Sequence, residues 1–203
     1  SVSGNTATLI AGSTATGGAI STLNGTTTLT GSTISLSGNQ AANSGGGINS
    51  KNVALSSSMV TANNNVAVTG SGGAINVVGG SLTVTAGTSL TLNQNQAGAY
   101  GGGIQTPSWI GTLDTLTATG NIAGKSGGAI YNGSGNFTAT GAVVLADNLA
   151  KDGTGGALNM LAGDVNLATV NGSATVTGNI ASGSGGGIYN TQNVSVGNAN
   201  GAV

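Results

Sequence analysis

Along most of this chain, apolar residues stand five and three places before a regularly spaced asparagine, with small or polar residues between them. The asparagines are Asn39, Asn65, Asn95, Asn121, Asn148 and Asn179. The apolar pairs are Ile34/Leu36, Val60/Ala62, Leu90/Leu92, Leu116/Ala118, Val143/Leu145 and Ala174/Val176. The alternate positions hold Ser35/Ser37, Thr61/Asn63, Thr91/Asn93, Thr117/Thr119, Val144/Ala146 and Thr175/Thr177. Alternation of period two predicts half-buried strands, the first set facing in and the second facing out. A second strand is predicted through Ile20, Ile48, Ile75, Ile104, Ile130, Leu158 and Ile188. A third runs through Leu29, Val53/Leu55, Leu82/Val84, Phe137/Ala139, Val165/Leu167 and Val194/Val196.

The second strand always follows one phrase, two glycines and a small residue. Its first glycines are Gly17, Gly45, Gly72, Gly101, Gly127, Gly155 and Gly185, separated by 28, 27, 29, 26, 28 and 30 residues, a mean of 28. Self-similarity at a fixed period marks a repeat architecture. Three short strands per 28 residues predict an all-β fold, a right-handed parallel β-helix with three strands per turn and about seven turns. A single turn cannot bury its own apolar face, so stability comes from stacking.

Each asparagine is followed two places later by alanine: Ala41, Ala67, Ala97, Ala123, Ala150 and Ala181. Asparagine tolerates the left-handed region and bonds nearby backbone, glycine permits positive φ, and alanine fits a narrow corner. The six asparagines are expected to stack into a hydrogen-bonded ladder at one corner. The outward residues Ser35, Ser37, Thr61, Asn63, Thr91, Asn93, Thr117, Thr119, Thr175 and Thr177 are expected to form a flat polar face, interrupted at Val144/Ala146.

The combined phrase, Asn-x-Ala followed by Gly-Gly-Ala-Ile and by Tyr131 or Tyr189 in two copies, resembles the repeat of the chlamydial polymorphic outer membrane proteins. The likeness spans residues 34 to 190. It implies a β-helical passenger of a surface autotransporter that acts in adhesion. The family has Phe three residues before the asparagine, where this chain has Leu36, Ala62, Leu92, Ala118, Leu145 and Val176.

Composition narrows the function. Three Lys (Lys51, Lys125, Lys151) and four Asp (Asp114, Asp147, Asp152, Asp164) make 3% charged residues and a net charge of −1, against about 25% charged in ordinary domains. No basic stripe is present to neutralise phosphates, which argues against nucleic acid as a partner. No apolar run reaches the ~18 residues that a membrane-spanning helix needs. The 40 Gly and abundant Ser, Thr and Asn would suit a disordered chain, but the periodic apolar pairs predict a folded one. A nearly uncharged polar surface points to an extracellular or cell-surface setting.

The whole chain, 1–203, reads as one solenoid domain. Residues 1–16, with Val2, Leu9 and Ile10, are expected to form a divergent first turn without a corner of its own. Residues 17–190 are the regular repeats, and 191–203 an incomplete last turn. Pro107, Ser108 and Trp109 break the pattern and predict an edge or a bulge, because proline cannot donate to a ladder.

Candidate chemistry is sparse. Glycoside hydrolysis needs two carboxylates flanking the bond, and only Asp147, Lys151 and Asp152 cluster in the sequence, within a turn. Gly120 to Ser126 approximates a phosphate loop one residue short, at the repeat's own corner. No calcium-binding nonapeptide recurs, and no catalytic, cofactor or metal site is expected. The function expected is non-enzymatic and structural: a subunit joining head to tail into a fibre or surface layer. The alternatives are an adhesin passenger segment and an ice-binding protein using the Thr/Ser/Asn face.

Overall fold

The computed structural model describes residues 1–7, 15–31, 33–168, 170 and 172–197. Among them there are strands and turns but no helix, and every strand pairing is parallel. The chain winds into a β-solenoid walled by three sheets. The first stacks the strands Val2–Ser3, Thr33–Ser37, Met59–Asn63, Ser89–Asn93, Thr115–Thr119, Val143–Ala146 and Ala174–Thr177. The Asn-x-Ala corner is itself a sheet of seven two-residue strands, from Thr6–Ala7 and Gln40–Ala41 to Ile180–Ala181. The third sheet joins the strands after the glycine phrase to those beginning at Leu82, Trp109, Phe137, Val165 and Val194. Ile20–Thr30 and Ile48–Ser56 run through both sets. Seven stacked strands bound six complete turns.

Registers hold residue for residue from turn to turn. Leu36 pairs with Ala62, Leu92 with Ala62 and Ala118, and Leu145 with Ala118 and Val176. Like residues therefore form columns along the rod. The inward columns, including Leu36, Leu55, Ile75, Leu92, Ile104, Leu116 and Leu145, are fully buried in one continuous core. Burying such a side chain contributes about 1.5–3 kcal/mol, and each turn supplies one layer of the stack.

The two glycines of the phrase are needed for different reasons. At Gly45 φ is +66°, a conformation that costs an L side chain about 1–2 kcal/mol. At Gly46 φ is ordinary, but a Cβ there would lie 2.3 Å from the Gly73 carbonyl oxygen of the next turn. The first glycine sets the corner, and the second lets successive turns approach.

One expectation is corrected, and another is settled on its bulge alternative. The first turn has a corner after all: Asn5-Thr6-Ala7 carries the phrase, Thr6 and Ala7 pair with Gln40 and Ala41, and Val2 pairs with Leu36. Its peculiarity is length, since Asn5 and Asn39 lie 34 residues apart; Leu9 and Ile10 fall outside the described residues. The irregularity after Pro107 is a bulge within a strand that still pairs on both sides. Leu82 to Val84 pair with Trp109 to Gly111, whereas Thr138 and Ala139 pair with Thr112 and Leu113. Ile110 and Gly111 are the two extra residues, exposed between buried Trp109 and Leu113. Trp109 points into the core, its ring centroid 4.7 Å from that of Phe137.

Candidate functional surfaces

The asparagine corner is the most repetitive polar structure in the molecule. The Asn121 backbone N–H and Nδ2 both donate to Asn148 Oδ1, each at 2.9 Å, and its second Nδ2 hydrogen goes to the Leu92 carbonyl at 2.8 Å. Its Oδ1 accepts from the Asn95 N–H at 3.0 Å and from Asn95 Nδ2 at 2.9 Å. The same pattern links Asn5, Asn39, Asn65, Asn95, Asn121, Asn148 and Asn179. Each interior amide thus uses both lone pairs and both hydrogens. That is how Asn39, Asn65, Asn95, Asn121 and Asn148 sit at 0% exposure without a desolvation penalty. The ladder has a direction, each asparagine from Asn5 to Asn148 donating to the one a turn later.

Ala41, Ala67, Ala97, Ala123 and Ala150 are buried beside the ladder, and Ala181 in the last described corner is half-buried. The residue before each corner asparagine takes positive φ throughout. It is glycine at Gly4, Gly38, Gly120 and Gly178, but Asn64, Gln94 and Asp147 adopt 55° without that freedom.

The outward residues of the first sheet form two columns in register. One runs Ser35, Thr61, Thr91, Thr117, Val144, Thr175; the other runs Ser37, Asn63, Asn93, Thr119, Ala146, Thr177. They are half-buried because each is flanked by the turns above and below, except Thr175 and Thr177, which are exposed. Neighbours in a column are ~4.8 Å apart, the inter-strand spacing. The Oδ1 atoms of Asn63 and Asn93 have no partner on this face.

Asp147, Lys151 and Asp152 stay at the corner. Asp147 holds a left-handed position, and the exposed Asp152 donates its N–H to the Gly124 carbonyl at 3.1 Å. Lys125, of the phosphate-loop-like segment, instead lies over the Tyr100 ring at 5.2 Å, and Ser126 Oγ accepts the Thr154 N–H at 3.1 Å. Among the described residues no three metal-ligating side chains come together.

Two polar features were not anticipated from the sequence. Asn52 Oδ1 accepts the Ser81 N–H, Asn136 Oδ1 the Asp164 N–H, and Asp164 Oδ1 both the N–H and Nδ2 of Asn193. This is a second, broken ladder on an exposed corner, foreshadowed only by a polar residue one place before each third strand. The other is the pairing of Tyr100 with Tyr131, whose ring centroids are 4.7 Å apart at 40°. The two tyrosines are 31 positions apart, and only the stacking of turns joins them.

The model of the Chlamydia polymorphic membrane protein repeat matches this chain at residues 33–51 and again at 173–191. The two matches occupy equivalent positions five turns apart, each running from the first sheet through the ladder corner into the strand after the glycines. No curated protein and no solved structure matches the chain. Among the described residues no helix is long and apolar enough to cross a membrane.

Proposed function

We propose that this chain is the rod of a bacterial cell-surface protein, a non-catalytic β-solenoid passenger that carries side chains outside the cell. The observation that carries the reading is the polymorphic membrane protein repeat matching at the same phase near both ends of the rod. The composition supports it. A surface with 3% charged residues, built on backbone ladders and a saturated amide column, depends little on ion pairs that salt would screen. The test is labelling of intact cells of the producing organism with antibodies raised against the chain. Surface labelling that disappears after external protease treatment is expected. Labelling that requires permeabilised cells overturns the reading.

Two finer readings rest on particular features. The one-way asparagine ladder favours end-to-end growth, because a corner that donates downwards meets one that accepts from above, and such heterologous contacts propagate rather than close. Filaments in electron micrographs of the purified chain support this reading, and monomeric rods at high concentration end it. The in-register Ser/Thr/Asn columns favour ordering of water on the first sheet. Thermal hysteresis that vanishes on Thr91→Tyr supports ice binding, and its absence in the unmodified chain rejects it.

A further inference from the structure

One outward column changes character part-way along the rod. Register places Ser21, Asn49, Asn76, Gln105, Tyr131, Asn159 and Tyr189 one above the other. Ser21 is exposed, but in the next two turns this column is sealed: Asn49 and Asn76 are buried, and Asn76 Nδ2 donates to Asn49 Oδ1 at 2.7 Å. From Gln105 onward longer side chains enter the column, and Gln105 is half-exposed. Tyr131 and Tyr189 are half-exposed, with the small Asn159 buried between them. Tyr100, just before its own glycine phrase, lays its ring against Tyr131, and the Lys125 ammonium sits over the Tyr100 ring. All three tyrosines of the chain and one of its three lysines therefore gather on one side of the glycine corner.

We propose that Tyr100, Tyr131 and Tyr189, with Gln105 and Lys125, form a binding platform for an acidic oligosaccharide lying along the rod axis. The polar ends of these side chains are unspent. Among the described residues neither the three phenol groups, the Gln105 amide nor the Lys125 ammonium takes part in a hydrogen bond or ion pair. An aromatic pair that served only packing would be sunk in the core, as Trp109 and Phe137 are; this one is half-exposed.

The chemistry that fits is a pyranose. Its C–H faces stack on tyrosine rings, its hydroxyls meet phenol and amide groups, and a ring carboxylate meets the ammonium. Lys125 is held by its ring contact, so little side-chain entropy is lost when it takes an anion. Phosphate-rich polymers need many cations, and this face has one. The spacing sets the ligand's length: Tyr131 and Tyr189 are two turns apart, about 10 Å, so one platform contacts several successive sugars. The inference gives the surface rod a ligand. It rests on the geometry of this face, so its failure would leave surface display untouched.

The test is calorimetric titration of the full chain with hexagalacturonate and, in parallel, with neutral maltohexaose. The acidic hexamer is expected to bind, and Tyr100→Ala and Lys125→Gln are each expected to weaken it about tenfold, the range of a ring or cation–π contact. Tyr100→Phe keeps the stack and is expected to retain most of the affinity, and Thr83→Ala, on the Leu82–Val84 strand outside this column, all of it. Unchanged circular dichroism and melting establish that the variants are folded. Absence of binding, equal binding by Tyr100→Ala, or equal binding of maltohexaose overturns the proposal.

Discussion

Leu92 and Gly103 compete for one space: a Cβ on Gly103 would lie 3.0 Å from Leu92 Cδ1. The same holds where a Cβ on Gly187 would meet Val176 Cγ1 at 2.7 Å. Where the inward residue three places before the asparagine is alanine, as at Ala62 and Ala118, the phrase carries alanine instead, Ala74 and Ala129. In the Leu92 and Val176 turns the two positions thus share one volume. Leu145 with Ala157 departs from the pairing, and nothing in the structure explains it. Gly103→Ala is expected to overpack and cost about 1–3 kcal/mol, and Leu92→Ala to leave a cavity costing about 2–5 kcal/mol. The double variant reproduces the Ala62/Ala74 arrangement, so its loss should fall short of the sum by more than about 0.5 kcal/mol. Denaturant melts of the four proteins measure the coupling, and strict additivity would refute the shared volume.

The ladder predicts a gradient along the rod. Asn121→Ala removes a saturated amide: the Asn95 N–H and Nδ2 lose their Oδ1 acceptor and the Leu92 carbonyl its Nδ2 donor, while Asn148 Oδ1 keeps only the Asn121 backbone N–H. Buried orphans cost about 1–3 kcal/mol apiece, so a loss of at least ~2 kcal/mol is expected. Asn5→Ala, at the first described corner and exposed, should cost less than half as much. Equal losses at the two positions in thermal melts would argue against the ladder as the source.

The bulge is separable from the fold. Deleting both Ile110 and Gly111 brings Trp109 and Leu113 to the spacing of Phe137 and Ala139, with both side chains still inward. Deleting Gly111 alone shifts one residue and turns the following side chains to the wrong face. The double deletion should leave the emission of the single tryptophan blue-shifted and the melting little changed. The single deletion should red-shift the emission and destabilise the protein.

Tyr131 gives the rod an alkaline limit. Burial holds its phenol above 10.0, and the neighbouring Tyr100 phenolate adds to the effect. The folded state therefore holds this proton more tightly than the unfolded chain does. Its contribution is fully present below the unfolded value of about 10 and is lost as pH rises through the higher folded value. In a phenolate absorbance titration one tyrosine should ionise late, and Tyr131→Phe should abolish that step. Tyr100→Phe should lower it only in part, because burial is the larger cause. Three coincident ionisations would contradict this.

The repeat length, the parallel solenoid and the inward and outward sets along the first sheet are legible in the sequence. They depend on local alternation and on a period that survives every insertion. Asn5-Thr6-Ala7 was equally legible by its spelling, but it stands 34 residues from its partner, outside the mean period. What the tertiary structure alone decided is what meets across turns. Gly46 and Gly73 are ordinary loop residues until stacking brings a carbonyl to where a side chain would be. Leu92 and Gly103 share a volume only because the turn closes between them. Tyr100, Lys125 and Tyr131 lie within one strip of sequence, yet nothing local says that they face the same way. Strand direction and burial are fixed by neighbours along the chain. Contacts between turns depend on the closure of each coil, which no short stretch encodes.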